Sequence, residues 1–325
     1  MEPLRWSHGR AVAWVGVNAT ATAPISPTRS RVPATLRWAA LLNLLAEVMI
    51  IITGGVVRVT GSGLGCSTWP QCTPGSYVPT VEQAEGWHKY VEFGNRTLTG
   101  LVGFLAIWLI IEVYRHSDRR RSLTIPAWLV LGGVASQAIA GGITVLLGLH
   151  PITVAFHFLQ SAAIVALSAY VWFHVFETGA TPRLLVPRLV VQAGWLTCAV
   201  GALVIVLGTV VTGSGPHSGD ADDPARFGFD PRTISWLHAD AVMLFVGLVA
   251  AMLLATTLTG TDRRPVRAWG VVMIVTLIQG VIGYVQYLTK LPEGLVVLHM
   301  AGAAALVVAL VYGMMGLRDR SGQRA

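Results

Sequence analysis

Two stretches of the chain share one grammar: Gln137-Ala-Ile-Ala-Gly141 followed by His157, and Gln279-Gly-Val-Ile-Gly283 followed by His299, with the same twenty-residue step from Gln to His in each. Thr60-Gly-Ser-Gly63 and Thr212-Gly-Ser-Gly215 close the first apolar run of each half in the same way. A third histidine, His238, precedes His299 at nearly the spacing by which Asn95 precedes His157. One half therefore offers two histidines, and the other an Asn and a histidine. Histidines at matched points of duplicated apolar units point to two related sites. Imidazoles facing one another across a helical bundle can clamp one flat macrocycle through its iron, so the residue types point to haem. Zinc requires three or four N, S or O ligands in tetrahedral array, and no such cluster is spaced along the chain.

The elements that must position these residues are membrane helices. The chain is 54% hydrophobic and 12% charged, with apolar runs of the roughly 20 residues needed to cross a bilayer. Eight spans are expected, near residues 38–59, 92–114, 124–148, 153–176, 189–212, 233–258, 266–289 and 294–316. Lipid satisfies no backbone groups, and the short alternating segments of a barrel are missing, so the spans are helices. The fold class is an all-α polytopic membrane protein, its eight transmembrane helices forming two parallel-repeat four-helix bundles. Four spans per half bring both halves in from the same side, placing Asn95, His157, His238 and His299 at equal depth in the outer part of the bilayer. An ionisable residue inside a membrane is a functional candidate by default, against the plainer reading of a helix-to-helix hydrogen bonder.

Basic residues concentrate before span 1 (Arg5, Arg10, Arg29, Arg31, Arg37) and between spans 2 and 3 (Arg115, Arg119, Arg120, Arg121). They recur between spans 4 and 5 (Arg183, Arg188), between spans 6 and 7 (Arg263, Arg264, Arg267) and after span 8 (Arg318, Arg320, Arg324). This bias predicts that both termini are cytoplasmic. The net charge of +7 records that topology and the anionic inner leaflet. No aromatic-interleaved basic patch suggests nucleic acid. The expected organisation is a disordered cytoplasmic tail at 1–37, a four-helix half at 38–177, a cytoplasmic linker at 178–188, a second half at 189–317 and a tail at 318–325. The Arg-rich, acid-poor start is also compatible with an organellar transit peptide.

Thr60-GSGLGCSTWPQC-Thr73, Glu92-FGN-Arg96, His157-FLQSA, Thr212-GSGPHSGD and His299-MAGAA together resemble the haem A synthase family, over nearly the whole chain beyond the tail. The resemblance implies an enzyme that oxidises the C8 methyl of haem O to the formyl group of haem A, with haem B as cofactor in the C-terminal half and haem O as substrate in the N-terminal half. By the same resemblance His238 and His299 match the haem B ligands, His157 matches one substrate-side ligand, and Glu92 matches the acid of a Glu-x-x-His-Arg motif. The second substrate-side ligand position of that motif is Asn95, a departure from the family pattern. The substrate iron would then be five-coordinate on His157, or be reached by His88, seven residues before Asn95.

Glu92 is expected to share a helix face with Asn95 and to serve the oxidation as a catalytic acid-base or electrostatic group. Arg96 and Arg58 are open to two readings, pairing with haem propionates or snorkelling to the surface. Cys66 and Cys72, in a predicted external loop that matches the family's cysteine pair, are expected to form a disulfide, either pinning the loop or cycling during turnover. Cys198 is expected to be a packing residue, and Gln137 and Gln279 to line the cavity or bond across helices. His217 with Asp220, Asp222, Asp223 and Asp230 reads as solvated loop charge. His116, His150 and His174 read as interfacial. The expected partners are a haem O synthase as supplier, a terminal oxidase as recipient and a membrane electron donor, with a homo-oligomer left open. The expected location is the bacterial cytoplasmic membrane. The competing reading is a b-type electron carrier with two permanent haems, which calls for two full histidine pairs. A parallel-repeat transporter explains the histidines and the cysteine loop less well.

Overall fold

The computed structural model describes residues 32–177, 181–217, 219–220 and 225–320. The expected N-terminal tail up to residue 31, together with Asp222, Asp223 and residues 321–325, lies outside the described residues. Eight helices follow in chain order: α1 (Ala34–Val59), α2 (His88–Arg115), α3 (Ser117–Leu146), α4 (Pro151–His174), α5 (Arg188–Ser214), α6 (Pro231–Thr259), α7 (Arg263–Leu288) and α8 (Glu293–Gly316). All eight are long and apolar enough to cross a membrane, so the chain is an all-α multi-pass membrane protein. The sequence places their ends well except at α3, which begins at Ser117 and runs through Pro126.

Starts and stops follow local chemistry. Prolines stand at or just before the first residue of α1, α4, α5, α6 and α8, where a missing N–H costs nothing and φ is already helical. Asp230 caps α6 by accepting from Thr233 N at 2.8 Å, and Asp262 caps α7 by accepting from Arg264 N at 2.9 Å. The hydrogen bonds from Thr233 hold the exposed Asp230 carboxyl below its ordinary range. Asp230 and His150, which caps α4, thus have structural work beyond the solvated and interfacial roles that their sequence context suggests.

Helices α1 to α4 form a ring, α1 on α2, α2 on α3, α3 on α4 and α4 back on α1. Helices α5 to α8 form a second ring closed by α5 on α8, and the rings meet where α1 and α4 pack on α8 and α4 on α5. In each ring the second and fourth helices, α2 and α4 or α6 and α8, lie diagonally opposite rather than side by side. Phe245, Met252, Trp269 and Leu310 fill the second ring. The junction is packed by Leu44, Ile51, Val165, Ala169, Ala304 and Val307.

At the end carrying the chain's disulfide, the chain around Thr60–Gly63 meets the chain around and after Thr212–Gly215. Gly63 N donates to Gly219 O at 2.8 Å and Arg58 Nη2 donates to Thr212 O at 3.0 Å. At the opposite end a two-stranded antiparallel ladder pairs β1 (Arg183–Leu184) with β2 (Arg318–Asp319). Arg318 and Arg320 lie 3.6 Å from the Glu177 carboxylate. Burial works to raise the pKa of Glu177, but its hydrogen bond with His174 and the two arginines outweigh it, and the carboxyl sits below its ordinary 4.5.

Candidate functional site

His157 is the seventh residue of α4, His299 the seventh of α8, His238 the eighth of α6 and Asn95 the eighth of α2. Every one of them sits about 10 Å along its helix at 1.5 Å per residue. Each histidine is half-buried, with its Nδ1 sealed from solvent. Each imidazole lies against a glycine of the neighbouring helix. A Cβ on Gly141 of α3 would stand 3.2 Å from His157 Cε1, one on Gly283 of α7 would stand 3.2 Å from His299 Cε1, and one on Gly208 of α5 would stand 3.4 Å from His238 Cε1. These glycines let an edge of each imidazole rest on backbone. A glutamine one turn before the glycine of α3 or α7 also fixes the helix that carries the histidine: Gln137 Nε2 donates to His157 O at 2.9 Å and Gln279 Nε2 to His299 O at 2.7 Å.

Asn95 breaks this pattern on both sides. Thr53 Oγ1 of α1 donates to Asn95 Oδ1 at 2.7 Å. Four residues before Thr212 stands Gly208, the seat of His238, whereas four residues before Thr60 stands Val56. The missing imidazole is accompanied by a missing seat. His88 does not take its place: its Nδ1 is 2.8 Å from Ser62 Oγ and its ring stacks on Trp87 at the start of α2.

Glu92 is 5% exposed and engages both carboxylate oxygens. Oε2 accepts from the Cys66 amide and Oε1 from Arg96 Nε at 2.9 Å, with Arg96 Nη2 closing the ion pair. The remaining guanidinium donors reach the loop carbonyls, Nη1 to Thr68 O at 2.8 Å and Gln71 O at 3.2 Å, Nη2 to Cys66 O at 2.7 Å. Buried in this way, the ion pair ties one turn of α2 to the loop closed by the Cys66–Cys72 disulfide. From that loop Trp69, which precedes a cis peptide bond to Pro70, lays its indole on Gly142, where a Cβ would stand 2.5 Å from the ring. Adjacent glycines of α3 thus seat the loop tryptophan and His157. Arg58 lies at the junction of the two halves beside His217 and Asp220, in a crevice of about 180 Å³, away from Arg96. His217 bonds Leu291 O at 3.0 Å, and Cys198 packs among the core residues of the second ring.

The donor set suits haem iron. In the second ring two imidazoles stand on diagonal helices, and among the described residues no group of three or more His, Cys, Asp or Glu could hold a bare metal ion. Glu47 escapes a reading of the sequence motifs. It is 3% exposed on α1 with Oε1 unpartnered, one turn beyond Asn43, whose Oδ1 accepts from Ser168 Oγ of α4 at 3.2 Å. A lone acid in the middle of an apolar span is the signal that could have found it.

Fold and site together define a multi-pass protein with imidazoles set inside two helical bundles and a disulfide loop tied over one of them. Residues 37–221 match the family model of COX15-CtaA, cytochrome oxidase assembly protein, and the chain belongs to that family. Similar proteins named Heme A synthase occur in Bacillus cereus strain 03BB102 and Bacillus anthracis, each 26% identical over 302 residues covering 88% of this chain and 94% of the relative. The protein of that name from Bacillus cereus strain ATCC 14579 is 25% identical over 302 residues, with the same coverage.

Proposed function

We propose that this protein is a haem A synthase, converting the C8 methyl of haem O to the formyl group of haem A. The observation that carries the reading is the pair His238 and His299, on diagonal helices of one ring at matched depth, each imidazole seated on a glycine with its Nδ1 sealed from solvent. In this reading they hold haem B, and His157, seated in the same way in the other ring, holds the iron of haem O. Haem B, when bound, supplies one-electron redox chemistry. The methyl-to-formyl change is a four-electron oxidation: two hydroxylations, each inserting into a C–H bond one oxygen atom from an external oxygen-donor oxidant, give a geminal diol that loses water.

The chain's own residues then have distinct tasks. Asn95, bonded to Thr53, is a poor iron ligand, so the substrate is held from the His157 side and its other face is left clear. Glu92 lies three residues before Asn95 on the same helix face and is the proposed catalytic carboxylate, accepting a proton or stabilising positive charge at the oxidised carbon. Arg96 fixes the position of Glu92 and anchors the disulfide loop above the site. The loop and Trp69 exclude water from that end. Haem O synthase as supplier, a terminal oxidase as recipient, a membrane electron donor, cytoplasmic termini and a bacterial cytoplasmic membrane complete the proposal.

The test is mass-resolved chromatography of haems extracted from membranes that make haem O, with and without this protein. Haem A, or its hydroxymethyl precursor, is expected only with the protein. Unchanged haem O, with two haems retained in the purified protein, would favour a di-haem electron carrier instead.

A further inference from the structure

Between α3 and α4 runs an apolar groove of about 370 Å³, lined by Ile139, Ala140, Ile143, Ile152 and Phe156, with Ser136 and Gln160 at its polar end. Ile139, Ile143, Ile152 and Phe156 are exposed on the flank of the ring, where a bilayer would meet it. The groove adjoins the His157 site directly. Phe156 and Gln160 flank His157 in α4, and Ala140 precedes the glycine on which its imidazole rests.

The polar end is set for one kind of partner. Ser136 Oγ donates its single proton to Gly133 O at 2.8 Å, so towards Gln160 it can only accept, and it does so from Nε2. That fixes the carboxamide with Oε1 directed elsewhere, and Gln160 Oε1 is buried with no hydrogen-bond partner among the described residues. A buried acceptor without a donor is unfavourable and calls for one. The described residues thus present an apolar slot open to lipid, beginning beside His157 and ending at Gln160, whose carbonyl has no partner among them.

Resting on the haem O reading above, we infer that this groove receives the isoprenoid chain of haem O and that Gln160 Oε1 accepts a hydrogen bond from the hydroxyl at the root of that chain. Haem O differs from haem B in carrying a hydroxyethylfarnesyl group where haem B has a vinyl. The second ring meets the opposite requirement. When Gln137 and His157 are aligned on Gln279 and His299, Ser136 gives way to Ile278 and Gln160 to Gly302, and the space over Gly302 is filled by the Gln279 carboxamide. Gln279 Oε1 is also buried without a partner there, so what separates the rings is the space at this position, which the second ring fills and a haem without a tail does not need.

The experiment titrates haem O, and separately haem B, into purified protein already carrying its resident haem, and follows the Soret band. Wild type is compared with Gln160→Leu and with Ile139→Trp/Ile152→Trp, which fills the groove from exposed rim positions. Wild type is expected to prefer haem O by at least about tenfold. Gln160→Leu should lose about five- to tenfold for haem O and little for haem B, and the double Trp variant should erase the preference. A preference that survives the Trp variant would overturn the groove assignment while leaving the haem O reading intact, whether or not a co-purifying lipid is displaced. Equal weakening of both haems would overturn it as well. Failure of wild type to bind haem O at all would instead sink the functional reading on which the inference rests.

Discussion

The two rings place the same few residues at the same depth and then part company. In the second, His238 and His299 stand on diagonal helices and each imidazole rests on a glycine. In the first, His157 keeps its glycine, but Asn95 stands where the partner histidine would be, bonded to Thr53, with Val56 where the seat would be. With Asn95 aligned on His238, the charged pair Glu92 and Arg96 has Ser235 and Ala239 as counterparts, and Ser235 bonds to its own helix at Pro231 O. On the proposed function, two histidine ligands without a counterpart to the Glu92–Arg96 pair suit a cofactor that stays. On the same proposal, one histidine ligand, a buried ion pair and a loop tied down by it suit a substrate that must enter, react and leave. Removing half of the ligation lowers affinity, and substrate binding that is too tight contributes nothing to turnover.

The largest effect expected is from His299→Ala. If His238 and His299 hold haem B as proposed, removing one of the two imidazoles should abolish the low-spin haem B spectrum of the purified protein. A spectrum unchanged from wild type would remove His299 from the ligand set and end the comparison. Next comes Glu92→Gln, which keeps the shape of the side chain but not its charge. It should retain haem B and lower haem A production by about 10²- to 10⁴-fold, read by haem extraction. Normal output would show that Glu92 serves only to hold Cys66 and Arg96 in place.

A more pointed test makes the first ring imitate the second. Asn95→His with Val56→Gly supplies both the imidazole and the backbone seat that accompany His238. The expected result is a second tightly held haem with a low-spin spectrum and slower release of product. A variant that still carries one haem and turns over normally would show that Asn95 and Val56 do not set the difference between the rings.

Much of this is legible in the amino-acid order alone. Eight apolar runs mark the helices, and the repeated Gln-to-His spacing marks His157 and His299, because membrane helices and duplicated motifs are both local patterns. The glycine seats are less visible, since Gly208 and His238 belong to different helices and a glycine in an apolar span carries no mark of what rests on it. Thr53 and Gln160 become informative only when their partners on other helices are known. Arg96 shows the same limit in a different form. An arginine beside a ligand position suggests propionates, yet its donors are taken up by Glu92 and three loop carbonyls. The pairing of Arg183–Leu184 with Arg318–Asp319 joins segments separated by the whole second ring of helices, beyond the reach of any local signal.

The smallest prediction concerns the turns that set the histidine depth. Leu149 and Leu291 donate their amides to Thr144 O and Gln286 O, and in each turn two consecutive residues have positive φ: Gly148 and Leu149 at 60° and 55°, Lys290 and Leu291 at 63° and 61°. A left-handed conformation costs a non-glycine residue roughly 1–2 kcal/mol, and Lys290 bears that cost where Gly148 does not. Lys290 is exposed, so little packing is lost on replacing it. Glycine gives back part of the gain through its freer unfolded chain, about 0.5–1 kcal/mol. Lys290→Gly should therefore stabilise the protein by about 0.5–1 kcal/mol, and Gly148→Lys should destabilise it by a similar amount. Thermal denaturation in detergent measures both. A destabilised Lys290→Gly would mean that the lysine side chain makes a contribution larger than the strain of its backbone, and that the two turns, alike in backbone, are held by different forces.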